Sequence, residues 1–433
     1  MTAANDRHIM ALMSFLKRVA ASIILLSCAN VALAQSRLFS LGGTFAVGTG
    51  SWSGGPASTV LLAVDLNHDG KIDLVTADSD QTITVLLGDG SGSFVPAPGS
   101  PIKAAGFALS IGTADFNGDG NPDIAATGVF GTEVLLGDGT GHFTKGTGIT
   151  GYYSSTDGEL LAVADLNGDG KADLAVGYFG QALVFFGDGT GGFSAPVLSL
   201  YLPNLSDVIT GDFNGDGKTD LALVGTYGPG NVEVFLGHLG PATLLVFNPP
   251  LLFPFQMTYA AAAGDFNGDG KSDILTFREF AGFQSLIWFW TGNTQSVLTS
   301  FRGVQASAPA GAGLPSFVTV GDFNGDGKLD WAGAEVSLGR VSVALGDGTG
   351  MFSSAPGSPY TVGGTPIGVG VADFNGDGKP DLAVHTGSAV TLLLNTGALT
   401  MPATPAPATW LLVISGLAIV ALMRRLGMGL RRV

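Results

Sequence analysis

The sequence predicts an all-β protein, a seven-bladed β-propeller closed by an N-terminal strand, with one acidic loop in each blade. Three observations carry that expectation. The pattern Asp-x-Asn-x-Asp-Gly-x-x-Asp begins at Asp65, Asp115, Asp165, Asp212, Asp265, Asp322 and Asp373, at intervals of 50, 50, 47, 53, 57 and 51 residues. A period near 50 is too long for a hexapeptide β-helix and matches one four-stranded blade. Composition agrees, because 68 Gly, 27 Phe and only 12 % charged residues suit short strands and tight turns better than helices.

Residues 1–34 read as a secretory signal peptide. Lys17 and Arg18 precede an apolar run over 19–26, and Ala32-Leu33-Ala34 offers a small-residue cleavage site before Gln35. The basic pair comes late, so Met10 and Met13 are alternative starts. A second processing reading takes Leu25-Leu26-Ser27-Cys28 as a lipobox, with bulky Leu26 and the later cleavage site against it. Cys28 is the one cysteine of the chain. The exported part, without a disulfide, is expected to be held by packing or by metal.

Residues 35–398 contain the repeats. In each, an apolar alternating stretch enters the acidic loop (60–64 in the first) and a second leaves it (72–75). A third follows (83–87), closed by Gly-Asp-Gly and Gly-x-Phe, and a fourth starts at that Phe. Phe94, Phe143, Phe193 and Phe352 hold the fourth-strand position. The seventh repeat ends at Leu394-Asn395-Thr396-Gly397 without a fourth strand, while Gly42-Gly43-Thr44-Phe45 is an orphan copy at the other end. A ring in which the N-terminal strand completes the last blade accounts for both and leaves no open sheet edge.

A Pro/Ala/Thr linker over 399–409 then leads into 410–433, an apolar run from Trp410 to Met423 followed by Arg424, Arg425, Arg431 and Arg432. This segment is expected to be a membrane anchor with its arginines cytoplasmic, or a sorting signal that is cleaved. Its Pro-rich motif, apolar helix and basic end resemble tails of the PEP-CTERM type, although Pro405-Ala406-Pro407 has Ala where that family has Glu.

The loops read as calcium sites, up to seven Ca²⁺ in all. The expected ligands are Asp65, Asn67, Asp69 and Asp73; Asp115, Asn117, Asp119 and Asp123; Asp165, Asn167, Asp169 and Asp173; Asp212, Asn214, Asp216 and Asp220; Asp265, Asn267, Asp269 and Asp273; Asp322, Asn324, Asp326 and Asp330; Asp373, Asn375, Asp377 and Asp381. Alternate positions of a tight loop point oxygens inward, Gly at position six permits the turn, and hard oxygen donors in this number suit Ca²⁺ over Mg²⁺. His68 lies outside that register. An EF-hand is disfavoured because position twelve is never Glu (Thr76 and Ala126 in the first two loops). The competing reading is a metal-free Asx turn, which leaves the mutual repulsion of three carboxylates uncompensated. Residues 35–409 carry 34 acidic and 12 basic side chains, net −22, which seven Ca²⁺ would bring to −8.

Asp-Phe-Asn-Gly-Asp-Gly-Lys at 212–218, 265–271, 322–328 and 373–379 resembles the core motif of FG-GAP/VCBS repeats, the class found in integrin α-subunit propellers and many bacterial exported proteins. The resemblance spans about residues 40–398. It implies a propeller with a calcium loop between the first two strands of each blade, and it implies no single ligand. The second turn, Gly-Asp-Gly-Thr-Gly, carries Asp89, Asp138, Asp188 and Asp347, for which a hairpin role is expected.

No zinc-protease, phosphate-loop or nucleophile-elbow motif is present. The formal charge of −16 speaks against nucleic acid as a partner. In the fifth repeat Phe277, Arg278, Glu279 and Phe280 precede Trp288-Phe289-Trp290, readable as a carbohydrate platform or as core between blades. The expected function is that of a non-catalytic, monomeric binding or adhesion module at the cell surface or outside the cell, with a glycan or surface protein as partner. The alternatives are a polysaccharide-acting lyase or hydrolase on the same scaffold, and a purely structural surface component.

Overall fold

The computed structural model describes residues 37–397, except 49–59, 79, 105–107, 129, 151–159, 179, 203, 226–231, 238–256, 281–282, 292–299, 302–305 and 308–314. The expected signal peptide, linker and C-terminal tail lie outside these residues. Among the described residues, no helix is long and apolar enough to cross a membrane.

Each repeat folds as an antiparallel meander. In the first, Leu61–Val64, Asp73–Asp78, Thr82–Gly88 and Phe94–Pro96 pair in that order. The acidic loop joins the first two strands, and a hairpin at the opposite end joins the second to the third. The second strands Asp73–Asp78, Asp123–Gly128, Asp220–Gly225 and Asp330–Glu335 are buried at every residue. Covered on both faces, such strands read as nearly continuous apolar runs and not as alternating ones.

Seven sheets form, and the first strands of successive repeats pack side by side. Leu61–Val64, Ala108–Ala114, Leu160–Ala164, Leu205–Gly211, Met257–Gly264, Phe317–Gly321 and Gly368–Ala372 contact one another in this order, and the last returns to the first. This is the arrangement of a β-propeller. Six sheets reach the four strands of a complete blade; the fourth repeat shows three, Leu205–Gly211, Asp220–Gly225 and Val232–Phe235. The expectation of seven complete blades is therefore corrected to six among the described residues. The fourth-strand position of that repeat falls within residues 238–256, outside the described residues.

The N-terminal strand Phe39–Ala46 is the outer strand of the last sheet, antiparallel to Ala389–Asn395, with Phe39 opposite Asn395 and Ala46 opposite Ala389. The phase of this strand differs from the expected one. Phe39 faces the end of the third strand as Phe94 faces Gly88, Phe143 faces Gly137 and Phe352 faces Gly346. The fourth-strand aromatic of the last blade is thus Phe39, and Phe45 lies further along, edge-on to Phe94 at 5.1 Å. Phe39 was hidden because no glycine turn precedes it.

Aromatic pairs join neighbouring sheets. The residue at loop position two is buried in every repeat: Leu66, Phe116, Leu166, Phe213, Phe266, Phe323 and Phe374. A Phe from the next sheet meets it edge to face, as Phe94 on Phe374 at 5.9 Å, Phe193 on Phe116 at 5.6 Å, Phe352 on Phe266 at 5.8 Å and Phe39 on Phe323 at 5.6 Å. Phe193, expected to open a fourth strand, instead makes an isolated bridge to Gly187 ahead of the observed strand Leu198–Tyr201. Such contacts are worth about 0.5–1.5 kcal/mol each beyond the area they bury.

Candidate metal centre

The seven loops share one hydrogen-bond plan. At position one, Asp65, Asp115, Asp165, Asp212, Asp265, Asp322 and Asp373 accept the N–H of position five through Oδ1 at 3.0–3.2 Å. Their Oδ2 atoms accept the N–H of the position-six glycine at 2.7–2.9 Å. At position three, Asn67, Asn117, Asn167, Asn214, Asn267, Asn324 and Asn375 accept the same position-five N–H at 2.8–3.0 Å. At position five, Asp69, Asp119, Asp169, Asp216, Asp269, Asp326 and Asp377 accept the N–H of position seven at 2.8–3.0 Å. The local fold follows from Asx-turn chemistry. Position four requires a left-handed backbone, which even His68 adopts at φ 59°.

Position nine is different in kind. Asp73, Asp123, Asp173, Asp220, Asp273, Asp330 and Asp381 are all fully buried. Oδ2 accepts the position-two N–H in each, at 2.8–3.1 Å. In six repeats Oδ1 also accepts an N–H at or just after the end of the third strand: Gly88, Gly137, Gly187, Gly237, Gly346 or Asn395. This aspartate ties the loop to the sheet whatever else it does. Nothing in the motif alone distinguished it from the other three positions.

All seven position-nine carboxyls are pushed above their ordinary value of 3.8, first by burial and further by the carboxylates at positions one and five; in the third loop the repulsion comes from Asp169. The N–H groups they accept offset part of this. Asp273 reaches about 8, Asp330 about 7, and Asp220 and Asp381 about 6.

The donors suit a hard cation, since every loop offers three carboxylates and one amide oxygen. As folded, those oxygens are turned to the loop's own N–H groups. Among the described residues no three His, Cys, Asp or Glu side chains converge as a preformed metal cluster. Holding Ca²⁺ would require positions one, three and five to close toward position nine.

The second turn docks on this centre from the neighbouring sheet. Gly92 N–H donates to the Phe374 carbonyl and Gly191 N–H to the Phe116 carbonyl, both at 2.8 Å. The last repeat lacks that turn, and there the Asn395 side-chain amide donates to the Phe323 carbonyl at 2.7 Å. Asp89, Asp138, Asp188 and Asp347 cap their own turns, each accepting the hydroxyl of Ser91, Thr140, Thr190 or Thr349. That hydroxyl is the main reason their carboxyls are held below the usual range.

The FG-GAP-like repeat model matches residues 65–126, 165–223, 212–276, 265–333 and 322–384, together more than half of the chain. The chain belongs to the FG-GAP-like repeat family. No curated protein matches it. Solved structures share the fold of these FG-GAP-like repeats at low identity. The BP39L lectin from Burkholderia pseudomallei is 16 % identical with a TM-score of 0.57, covering 79 % of this chain and 97 % of that one. An Agrocybe aegerita lectin described as recognising non-reducing terminal N-acetylglucosamine is 18 % identical with a TM-score of 0.52, covering 78 % and 86 %. BBS1N, solved in complex with ARL6DN, is 10 % identical with a TM-score of 0.53, covering 83 % and 97 %.

Outside the loops, acidic groups have structural partners. Asp78 Oδ2 accepts hydroxyls from Thr76 and Thr84 at 3.2 and 2.7 Å, and Glu335 meets Arg340 Nε at 2.7 Å. Asp207 lines a cavity of about 130 Å³ where the first strands converge, beside Leu61, Phe317 and Gly368. Its oxygens accept the N–H groups of Val208 and Ala261, and burial pushes its carboxyl up to about 7. Of the aromatic group in the fifth repeat, Phe277 is fully buried and packs edge-on against Trp331 at 4.9 Å, which makes it core between sheets. The side chains of residues 278–291 lie outside the described residues.

Proposed function

We propose that this chain is an exported, non-catalytic propeller, stabilised by calcium in its FG-GAP-like loops and binding a glycan or a surface protein. The observation that carries the calcium reading is the same in every repeat. A fully buried position-nine carboxyl has its pKa raised first by burial and further by the charge of other loop carboxylates. A divalent cation held by positions one, three, five and nine, with the position-seven carbonyl, would compensate that repulsion. Calcium would act as a folding cofactor, each site adding about 2.7 kcal/mol when free Ca²⁺ stands 100-fold above its dissociation constant.

The sequence supports export through residues 1–34 and attachment or sorting through 410–433. Lectins and a protein-bound propeller among the structural neighbours support a binding module, as does the commitment of Asp78 and Glu335 to structural partners. A screen of the calcium-loaded chain against glycans and surface proteins, run beside polysaccharide-cleavage assays, tests the reading. Saturable binding without turnover is expected. Cleavage of a polysaccharide by pure protein would replace the module with an enzyme.

A further inference from the structure

The second blade carries a cavity apart from the aspartate loop. At the end away from the aspartate loop, a cavity of about 210 Å³ opens along the ends of its strands. Its lining includes the small residues Ala104, Ala108, Ala126 and Gly128. Phe130, in the hairpin between the second and third strands, also lines it and is 67 % exposed although it is a large apolar ring. Glu133 and Lys145, paired at 2.5 Å, line it as well, with Glu133 nearly buried and Lys145 half-exposed.

The cavity is built into the backbone. Thr132 N–H donates to the Ile149 carbonyl at 3.0 Å, and Ile149 N–H donates back to Thr132 at 2.8 Å. This bridge pins the chain after the fourth strand beside the third. Gly131 sits at φ 129°, and a Cβ there would collide with the Ile149 carbonyl. A Cβ on Gly148 would lie 2.6 Å from the Thr132 carbonyl. The carboxylate is also particular to few blades. Glu133 pairs with Ala126 in register, and the matching third-strand positions hold Thr84, Leu183, Ser342 and Thr391 in the first, third, sixth and seventh repeats; only the fourth repeats the acid, as Glu233.

We infer that this cavity binds a neutral pyranose unit of a glycan, stacked on Phe130 and hydrogen-bonded along its hydroxyl edge by Glu133 and Lys145. A lining of small residues beside an exposed ring leaves room for a ring with one apolar face. The ion pair adds no net charge and offers both an acceptor and a donor, which is what vicinal hydroxyls need. Formal charge of −16 on the whole chain works against a polyanionic ligand. The inference rests on the binding-module reading and gives it a ligand class and a place.

The test is a panel of neutral and acidic oligosaccharides presented to the full chain in Ca²⁺, with calorimetric titration of any ligand bound. Phe130→Ala and Glu133→Gln are compared with wild type, and Leu338→Ala, another exposed apolar residue at a hairpin on the same end of a different blade, is the control. A neutral glycan should bind, Phe130→Ala should weaken it at least tenfold with an unchanged melting temperature, Glu133→Gln should weaken it as well, and Leu338→Ala should leave it unaltered. Neutral binding indifferent to Phe130 would overturn this site and leave the module intact. Binding confined to acidic glycans would overturn the ligand class. Failure to bind any glycan overturns the inference while protein partners still support a module; failure in both screens removes the module as well.

Discussion

Asp220 and Asp216 stand four residues apart in one loop, and the fold asks different things of them. Both oxygens of Asp220 are taken by N–H groups, those of Phe213 and Gly237, while Asp216 is exposed and accepts the Lys218 N–H. Asp220→Ala leaves two donors without an acceptor and should cost about 2–6 kcal/mol in urea unfolding, with or without calcium. Asp216→Asn should change stability in EGTA by less than about 0.5 kcal/mol and show its effect as weaker Ca²⁺ binding in calorimetry. Equal losses from the two in EGTA would contradict this division of roles. Asp207 gives a prediction outside the loops. Its folded pKa of about 7 lies above the unfolded value, so the folded chain holds the extra proton between them. Stability from this group is complete below about pH 4 and is lost as pH rises through about 7. In saturating Ca²⁺, wild type should therefore lose melting temperature from pH 5 to 8, and Asp207→Asn should flatten that slope; an unchanged slope would assign it to other groups.

At the scale of the element, the ring closes on Phe39–Ala46 and on two residues that replace what the last repeat lacks. Phe39 supplies the fourth-strand aromatic, and Asn395 supplies the donor that a turn glycine provides in the first and third repeats. Phe39→Ala removes a fully buried ring and should cost about 3–5 kcal/mol. Asn395→Ala should cost less, about 1–3 kcal/mol for a buried carbonyl left unpaired. Deleting residues 37–46 should expose the edge of Ala389–Asn395 and drive association, measurable by light scattering. Much of this was legible in advance. The regular spacing of the loops foretold the meanders, and the missing last strand foretold where the N-terminus goes. The phase of that strand was not legible, because Gly42-Gly43-Thr44-Phe45 imitates the turn motif while Phe39 has no such marker. The structural duty of position nine was also hidden, since its partners lie up to 17 residues away, at or just past the end of the third strand. A cavity such as that beside Phe130 arises from contacts among four strands and leaves no motif at all.

Across the whole molecule, the excess of negative charge and the closed ring bear on one another. Twenty-one of the chain's 35 acidic residues are loop aspartates, and the neighbouring sheet docks on the loop's second residue by aromatic contacts and, at three seams, by hydrogen bonds. Relief of charge at the loops should therefore stabilise the seams between sheets as well as the loops themselves. The most direct test of that claim is calorimetric unfolding of the full chain in millimolar Ca²⁺, in EGTA and in Mg²⁺ at matched ionic strength. The midpoint should fall by roughly 10 °C or more in EGTA and be restored by Ca²⁺ and not by Mg²⁺. A melt identical in all three would contradict it, and the FG-GAP-like loops would then be metal-free turns held by their own N–H groups.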